Sequence, residues 1–366
     1  MEKAGILELP HLRPLGRFQE AAARRQGALP LFWAGSGLEL AFTGTELHLL
    51  LEADFDRMEP WIAVEVNGAP LIRMPMRRGT NEICVLRGMA PGTVRRVRLM
   101  KETQPMSTDA RHSLLVREAR WEGGTFLPLP EPSCRLEFVG DSLTSGEGLA
   151  GAREESDWIP AFFRGGGTWA RMTADLLGAE YRAVSQSGWG VRSSWDNDPA
   201  CTLLSIYDAV CAPAQGEANR AFAAQEPYDF ASWRPDAVIV NLGTNDAAAM
   251  EHPARDGFRQ DGTEAGLRAF EDAALDFLRQ LRRRNPDARL VWAFGMVHSR
   301  LYPQMEGAVR RFREEGGDAC CLALPAVRPE TMGALQHPGP ACHREAAEAA
   351  AAFLSRHLNL RPSRQF

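Results

Sequence analysis

Ser142 lies directly after a hydrophobic segment, at a position suited to a nucleophile. In the stretch RLEFVGDSLTSGEG, residues 136–139 have the apolar pattern of a buried strand, and Gly140, Asp141 and Ser142 follow them. Gly and Ser interrupt the strand where a helix could begin, and ligands of open α/β sheets bind at this edge. A Gly-Asp-Ser tripeptide also forms ordinary turns, so the serine by itself leaves both interpretations open.

Three later segments supply groups that could act together with this serine. In SQSGWG, residues 185–190, Gly188 leaves a backbone N–H free to point at a ligand. In VIVNLGTND, the buried-type strand 238–242 ends just before Asn245, whose amide is the neutral donor that an oxyanion requires. His337 precedes a helix-forming run rich in Ala and Glu, which places one imidazole on a loop before the last helix.

These four segments, in this order, resemble the motif blocks of the SGNH (GDSL-type) hydrolase family over roughly residues 134–358. The resemblance implies that Ser142 is the nucleophile and His337 its base. It also implies an oxyanion hole made by the backbone amides of Ser142 and Gly188 and the side chain of Asn245. A serine hydroxyl is a poor nucleophile until an imidazole takes its proton, and a tetrahedral oxyanion needs fixed donors.

One position departs from the family pattern, which has an Asp three residues before the histidine. Here that residue is Ala334, so no carboxylate comes from the usual place to orient the ring of His337. Two interpretations remain. Another acid reaches the ring, with Glu330 the nearest candidate, or a backbone carbonyl orients it.

The first third of the chain refines the resemblance. Segments such as LFWAGSGLELAFTGTELHLLLE and WIAVEVNGAPL alternate apolar residues between Gly and Asn turns, which predicts antiparallel strands and a β-sandwich. The order of these strands, a Pro-rich connector and the GDS block is similar to carbohydrate esterase family two, in which a jelly-roll domain precedes an SGNH domain. Members of that family are acetylesterases, and some orient the histidine with a main-chain carbonyl.

Length and pattern predict two domains. Since domains cluster near roughly 100–150 residues, 366 residues exceed what one core usually serves. Three prolines in residues 128–133 mark the boundary, which gives a β-sandwich over 1–130 and a catalytic domain over 131–366. In the second domain strand-like runs alternate with helix-like runs, the rhythm of a parallel sheet. The predicted fold class is therefore α/β, with an N-terminal antiparallel jelly roll and a C-terminal three-layer α/β/α sandwich.

Composition argues against several other classes of protein. The chain carries 42 basic and 47 acidic residues, net −5, and the basic residues are scattered, so nucleic-acid binding is not expected. The N-terminal segment is charged throughout and no apolar run has membrane-spanning length, so we expect a cytoplasmic protein without a membrane partner. The seven cysteines lack a disulfide framework or zinc spacing, so we expect reduced thiols, no metal and no cofactor.

Six further residues are candidates for supporting roles. Trp189, between two glycines, is a candidate for stacking on a sugar ring, with a packed loop tryptophan as the alternative. His298 follows an apolar strand at the same predicted sheet edge and is a candidate for substrate contact. Asp141 is predicted to orient the loop backbone rather than act as an acid, as is Asp246. Trp158 and Trp195 lie in loops after the first and second blocks, where they could line a cleft.

The function we expect is removal of acetyl groups from xylan- or mannan-derived oligosaccharides through a Ser-His acyl-enzyme. Two alternatives remain open at this point. One is an acyltransferase that uses a second hydroxyl in place of water, and the other is a non-catalytic carbohydrate-binding protein. The sequence does not fix the oligomeric state, the sugar or the position of the acetyl group.

Overall fold

The fold was analysed in a computed structural model, which describes residues 1–298 and 300–358. The strands are β1 (Glu2–Gly5), β2 (Arg13–Leu15), β3 (Leu29–Pro30), β4 (Gly37–Phe42), β5 (Glu46–Asp54), β6 (Trp61–Val66), β7 (Ala69–Pro75), β8 (Gly79–Leu86), β9 (Arg95–Lys101), β10 (Ser113–Glu122), β11 (Phe126–Leu127), β12 (Arg135–Gly140), β13 (Glu180–Ser185), β14 (Ala237–Asn241), β15 (Arg289–Gly295) and β16 (Ala319–Leu324). The helices are α1 (Glu20–Gln26), α2 (Ser142–Ser145), α3 (Trp169–Leu177), α4 (Leu203–Ile206), α5 (Glu217–Ala221), α6 (Thr244–Ala249), α7 (Glu264–Arg284), α8 (Tyr302–Glu314) and α9 (Pro340–His357). Short 3₁₀ helices span Ile6–Glu8, Pro160–Phe162, Gly165–Gly167, Pro329–Thr331 and Ala334–Gln336.

The chain forms two compact units. The first contains residues 1–131 together with 159–166 and 208–228, and the second contains 132–158, 167–207 and the residues from 229 onward. The Pro-rich connector falls at the first of these boundaries. The two later segments that join the first unit have no signature in composition.

The first unit is built from two antiparallel sheets. One has the order β1-β10-β5-β8, with β3 also paired to β10, and the other has the order β11-β4-β9-β6-β7, with β2 paired to β4. Alternate residues of a strand point to opposite faces, so Leu47, Leu49 and Leu51 of β5 all enter one core. Side chains from both sheets fill that core. The predicted β-sandwich is confirmed.

Buried polar contacts explain why the later segments belong to the first unit. The carboxylate of Glu102 is buried and accepts a hydrogen bond from the backbone N–H of Gly166 at 2.9 Å. Arg73 contacts the same carboxylate and donates to the carbonyl of Phe163 at 2.9 Å. The indole N–H of the buried Trp33 donates to the carbonyl of Val210 at 2.8 Å. These contacts join residues distant in sequence, which local pattern does not reveal.

The second unit is a parallel sheet covered on both faces. Its strand order is β13-β12-β14-β15-β16, and every neighbouring pair is parallel. One face, which includes Phe138 and Ile239, packs against α3 and α9. On the opposite face Trp292 of β15 contacts Phe277 of α7 edge-to-face. This unit is the predicted α/β/α sandwich, and the first unit contains the predicted antiparallel sheets. The predicted fold class is therefore confirmed.

None of the helices in the described part of the chain has the length and apolar character that crossing a membrane requires. Within the same residues, no group of three His, Cys, Asp or Glu side chains is placed to hold a metal ion. All seven cysteines are free thiols.

A buried charge cluster stabilises the first unit and yields a stability prediction. Glu39 on β4 is 2% exposed and accepts hydrogen bonds from Arg98 at 2.6 Å and from Arg96 at 2.9 Å. Glu39→Ala removes one of the carboxylates that pair with the buried Arg98, which also contacts Glu65 at 2.9 Å. The free energy of unfolding, measured by urea denaturation, should therefore fall by about 3 kcal/mol. Glu52→Ala breaks the exposed pair with Arg117 and should cost less than about 1 kcal/mol. Equal losses in the two variants would contradict this account.

Candidate active site

The site lies at the carboxyl end of β12, the strand from which the chain continues to either side of the parallel sheet. From β12 the chain places β13 on one side and β14 on the other, which creates a topological switch point at the carboxyl ends of these three strands. Ser142 follows β12, Gly188 follows β13 and Asn245 follows β14. Sheet topology therefore brings together three residues that are up to 103 positions apart.

Ser142 begins a helix of one turn, and its neighbours hold that turn tightly. Asp141 caps the helix by accepting a hydrogen bond from the backbone N–H of Leu143 at 3.1 Å. A Cβ on Gly140 would lie 2.1 Å from Oγ1 of Thr144, so only glycine permits the sharp passage from strand to helix. The helix ends at Gly146 with φ of 80°. As the first residue of the helix, Ser142 has a backbone N–H with no intrahelical acceptor.

Gly188 supplies a second backbone donor in the same place. Its φ of 80° lies in the left-handed region, and a Cβ there would approach the ring of Trp195 to 3.0 Å. In the part of the chain that the structure describes, neither the N–H of Ser142 nor that of Gly188 donates a hydrogen bond. Buried backbone donors are almost always paired, so two unpaired ones at one cavity form a ready binding site for a negatively charged oxygen.

Asn245 adds a side-chain donor that the protein itself holds in position. Its Nδ2 donates to the carbonyl of Trp189 at 2.9 Å and to Oδ2 of Asp141 at 3.3 Å. Both hydrogens of the amide are therefore engaged before any ligand binds. An oxyanion must share or replace one of these bonds, and the longer contact with Asp141 is the weaker one.

Two buried acids organise these loops. Burial, reinforced by the neighbouring carboxyl groups of Asp246 and Glu147, raises the pKa of Asp141 to about 7. Burial also raises the pKa of Asp246 to about 6, although it accepts hydrogen bonds from three consecutive backbone N–H groups, residues 191–193. A Cβ on Gly190 would lie 2.3 Å from Oδ2 of Asp246. Asp246 thus fastens the loop that carries Gly188 to the helix that carries Asn245.

The ring of His337 is oriented by a backbone carbonyl. Its Nδ1 lies 2.9 Å from the carbonyl oxygen of Leu335, which fixes the proton on Nδ1 and leaves Nε2 as the basic nitrogen. Leu335 and Gln336 both have positive φ, 57° and 58°, a conformation that costs energy for residues with a Cβ. The strained turn points the carbonyl back at the ring. Glu330, the alternative considered from sequence, is exposed and hydrogen-bonded to Arg328 at 2.9 Å.

The loop with His337 is tied to the segment that follows Ser142. The backbone N–H of Ala334 donates to the carbonyl of Gly148 at 3.0 Å, and that of Leu335 donates to the carbonyl of Glu155 at 2.9 Å. Gly148 has φ of 73°, and a Cβ there would lie 2.8 Å from the Cβ of His337. Close approach of the two backbones therefore requires glycine and sets the position of the imidazole.

These groups line one cavity of about 370 Å³. Its lining residues are Ser142, Glu147, Trp158, Ser187, Gly188, Trp195, Asn245 and His337. Of these, Trp158 and Trp195 are 40% and 46% exposed.

Two of the proposed substrate contacts do not line this cavity. Trp189 is half-buried and reaches the site through its carbonyl, which accepts from Asn245. His298 is exposed, and partial loss of hydration together with the nearby Arg300 lowers its pKa. Sequence reasoning overlooked Glu147, although a carboxylate between two glycines of the Ser142 block was a visible signal.

Comparison with known proteins assigns the chain to a family of hydrolases. Residues 138–356 match the model of the GDSL-like lipase/acylhydrolase family. The chain is 38% identical to the acetyl xylan esterase Est2A of the rumen bacterium Butyrivibrio proteoclasticus, with a TM-score of 0.93 over 98% of both chains. A family two carbohydrate esterase from Clostridium thermocellum shares the fold, at 23% identity and a TM-score of 0.80 over 95% of this chain and 99% of that one.

A curated relative matches more distantly. The cellulase/esterase CelE of Acetivibrio thermocellus is 26% identical over 278 residues, which are 74% of this chain and 30% of that protein. The chain therefore spans less than a third of the length of CelE. The predicted resemblance to SGNH hydrolases, and to family two carbohydrate esterases in particular, is confirmed.

Glu330→Gln tests whether a carboxylate assists His337. Because Glu330 is exposed and engaged by Arg328, we expect kcat for 4-nitrophenyl acetate to fall less than about tenfold, whereas loss of a true triad carboxylate costs on the order of 10⁴. His337→Ala, measured in parallel, should be far more damaging. A loss near 10⁴ in Glu330→Gln with an unchanged circular dichroism spectrum would mean that the loop rearranges to form a triad.

Asn245→Ala tests the side-chain donor. The amide acts on charge that develops in the transition state, so kcat should fall by about 10²–10³ with little change in KM. Thermal unfolding should accompany the kinetics, because the variant also removes the bonds to Trp189 and Asp141. An effect on KM alone would make Asn245 a contact of the bound substrate and would place the oxyanion elsewhere.

Proposed function

This chain belongs to the GDSL-like lipase/acylhydrolase family, and within it we propose that the protein is a carbohydrate O-acetylesterase. Its substrates are acetylated oligosaccharides of the kind derived from xylan or mannan. The reaction is hydrolysis of the acetyl ester through a covalent intermediate on Ser142.

One observation carries this proposal. A single cavity contains a serine hydroxyl, a histidine with its Nδ1 fixed by the carbonyl of Leu335, and a cluster of donors for an oxyanion. Two of those donors, the N–H groups of Ser142 and Gly188, have no acceptor among the described residues. Acyl transfer requires this combination, because a nucleophile needs a base and the tetrahedral intermediate needs preorganised donors.

The geometry supports a double displacement. Nε2 of His337 takes the proton of Ser142 as Oγ attacks the acetyl carbonyl carbon. The carbonyl oxygen becomes an oxyanion that accepts hydrogen bonds from Ser142, Gly188 and Asn245. The imidazolium then protonates the sugar oxygen as the C–O bond breaks, and a water activated by the same histidine releases acetate from Ser142.

The rim of the cavity favours a carbohydrate as the alcohol part of the ester. Trp158 and Trp195 offer partly exposed rings beside the reacting groups, and aromatic faces pack against the apolar face of a pyranose. The similarity to the acetyl xylan esterase Est2A, at 38% identity, supports the same substrate class.

The proposal is tested by time-resolved NMR with acetylated xylo- and manno-oligosaccharides, with and without acceptor alcohols. Release of free acetate is the expected result, and the rates rank the two sugars. Transfer of acetyl groups to the added alcohol in preference to water would mean an acyltransferase. Chemical-shift changes in the sugar without turnover would mean a binding protein, and either result would overturn the proposal.

Ser142→Ala is the matching prediction for the nucleophile. Only the hydroxyl is lost, so the fold should persist while turnover of 4-nitrophenyl acetate falls by more than about 99%. A serine-directed phosphonate should add its mass to the wild-type protein and not to the variant. Retention of a tenth of wild-type turnover would exclude Ser142 as the nucleophile.

A further inference from the structure

Glu147 places a carboxylate inside the reaction cavity. It lies between two glycines with positive φ, Gly146 at 80° and Gly148 at 73°, just beyond the helix that starts at Ser142. Its backbone N–H donates to the carbonyl of Ser142 at 3.1 Å. The residue is only 7% exposed, and it lines the same cavity as Ser142 and His337.

No partner for this carboxylate lies in the part of the chain that the structure describes. Among residues 1–298 and 300–358, its side chain makes neither a hydrogen bond nor an ion pair, and the nearby carboxyl group of Asp141 has the same sign of charge. Buried carboxylates are normally paired or hydrogen-bonded, because removal from water is costly. An unpartnered carboxylate in a cavity that binds substrate is therefore a site for donors that the substrate brings.

Sugar hydroxyls are the donors that fit. A carboxylate only accepts hydrogen bonds, and its two oxygens can engage two hydroxyl groups at once. Glu147 follows the one-turn helix that begins at Ser142 and lines the same cavity, so the hydroxyls within its reach are those near the acetylated carbon. The tryptophan rings of the cavity suit the remaining apolar face of the sugar.

We infer that Glu147 determines substrate specificity by accepting hydrogen bonds from free hydroxyl groups next to the acetylated position. The inference rests on the proposed acetylesterase function and adds to it a preference among acetylated sugars. Sugars with a free neighbouring hydroxyl are preferred, and those that carry a carboxylate near the ester are disfavoured by repulsion between like charges.

The test measures kcat/KM of the wild type and Glu147→Gln on three kinds of ester. The first is 4-nitrophenyl acetate, which has no sugar hydroxyl, and the second is a monoacetylated methyl xyloside. The third is the pair of analogues of that xyloside in which one hydroxyl beside the acetylated carbon is replaced by hydrogen. Glu154→Gln makes the same charge change on an exposed residue of the following loop and serves as the control.

We expect Glu147→Gln to reduce kcat/KM for the xyloside at least about tenfold more than kcat/KM for 4-nitrophenyl acetate. A factor of this size is in the range measured for hydrogen bonds to charged groups. For at least one deoxygenated analogue, the loss of kcat/KM in Glu147→Gln should exceed the loss for 4-nitrophenyl acetate by less than about threefold, since that analogue lacks the hydroxyl that donates to Glu147. Glu154→Gln should stay within about twofold of wild type on every ester. Thermal unfolding of Glu147→Gln should occur at the wild-type temperature or above, because the variant removes the repulsion between the carboxyl groups of Glu147 and Asp141.

Four results would overturn the inference. Equal losses on the xyloside and 4-nitrophenyl acetate would mean that Glu147 acts on the chemistry itself. No loss on either, or an equal loss on the parent xyloside and both deoxygenated analogues, would mean that no neighbouring hydroxyl is bound. A wild-type protein that cleaves 4-nitrophenyl acetate but no acetylated sugar would instead refute the proposed substrate class, and the inference with it.

Discussion

The contact between Nδ1 of His337 and the carbonyl oxygen of Leu335 determines how this site works. A carbonyl is neutral, so it fixes the tautomer of the ring but stabilises an imidazolium less than a carboxylate would. Positive φ at Leu335 and Gln336 is the conformational cost of directing that carbonyl at the ring. The turn persists because hydrogen bonds to the carbonyls of Gly148 and Glu155 hold it in place. The position of His337 therefore depends on the segment that follows Ser142, and one network of hydrogen bonds holds both residues of the proposed reacting pair.

The donors on the other side of the cavity follow a different principle. Ser142, Gly188 and Asn245 meet because three adjacent parallel strands end at a switch point. Two of these donors belong to the backbone and need no side chain, but their loops must be held rigidly. Asp246 holds one of them by accepting hydrogen bonds from three consecutive N–H groups, at the cost of burying a carboxyl group whose pKa rises to about 6. The hydrogen bonds that Asp141 and Asp246 accept from backbone N–H groups hold these loops in place.

The buried acids of this site divide by whether the protein satisfies them. Asp141 and Asp246 accept hydrogen bonds from backbone and amide donors, and these bonds fix the loops. Glu147 is also buried, at 7% exposure against 0% for both aspartates, but among the described residues its side chain has no hydrogen bond or ion pair, and the nearby carboxyl group of Asp141 has the same sign of charge. A protein tolerates such a group where a ligand completes it, because the free energy lost in the empty site is recovered on binding. The cavity thus combines two tryptophan side chains, backbone donors and a carboxylate acceptor, and on this combination we base the proposed specificity for sugar esters.

Local pattern in the sequence determined the strands and helices of the second unit, the sandwich of the first, and the types and order of Ser142, Gly188, Asn245 and His337. Periodicity and glycine placement act over a few residues, so they can be read without a structure. The sequence also shows that position 334 is Ala in place of the usual Asp, and it left two candidates for the group that orients His337. Tertiary structure decided between an acid and a carbonyl, joined two late segments to the first unit, and placed Glu147 in the cavity and Trp189 outside it. Each of these outcomes depends on burial or on a hydrogen bond between distant residues, and such non-local contacts are fixed only when the chain is folded.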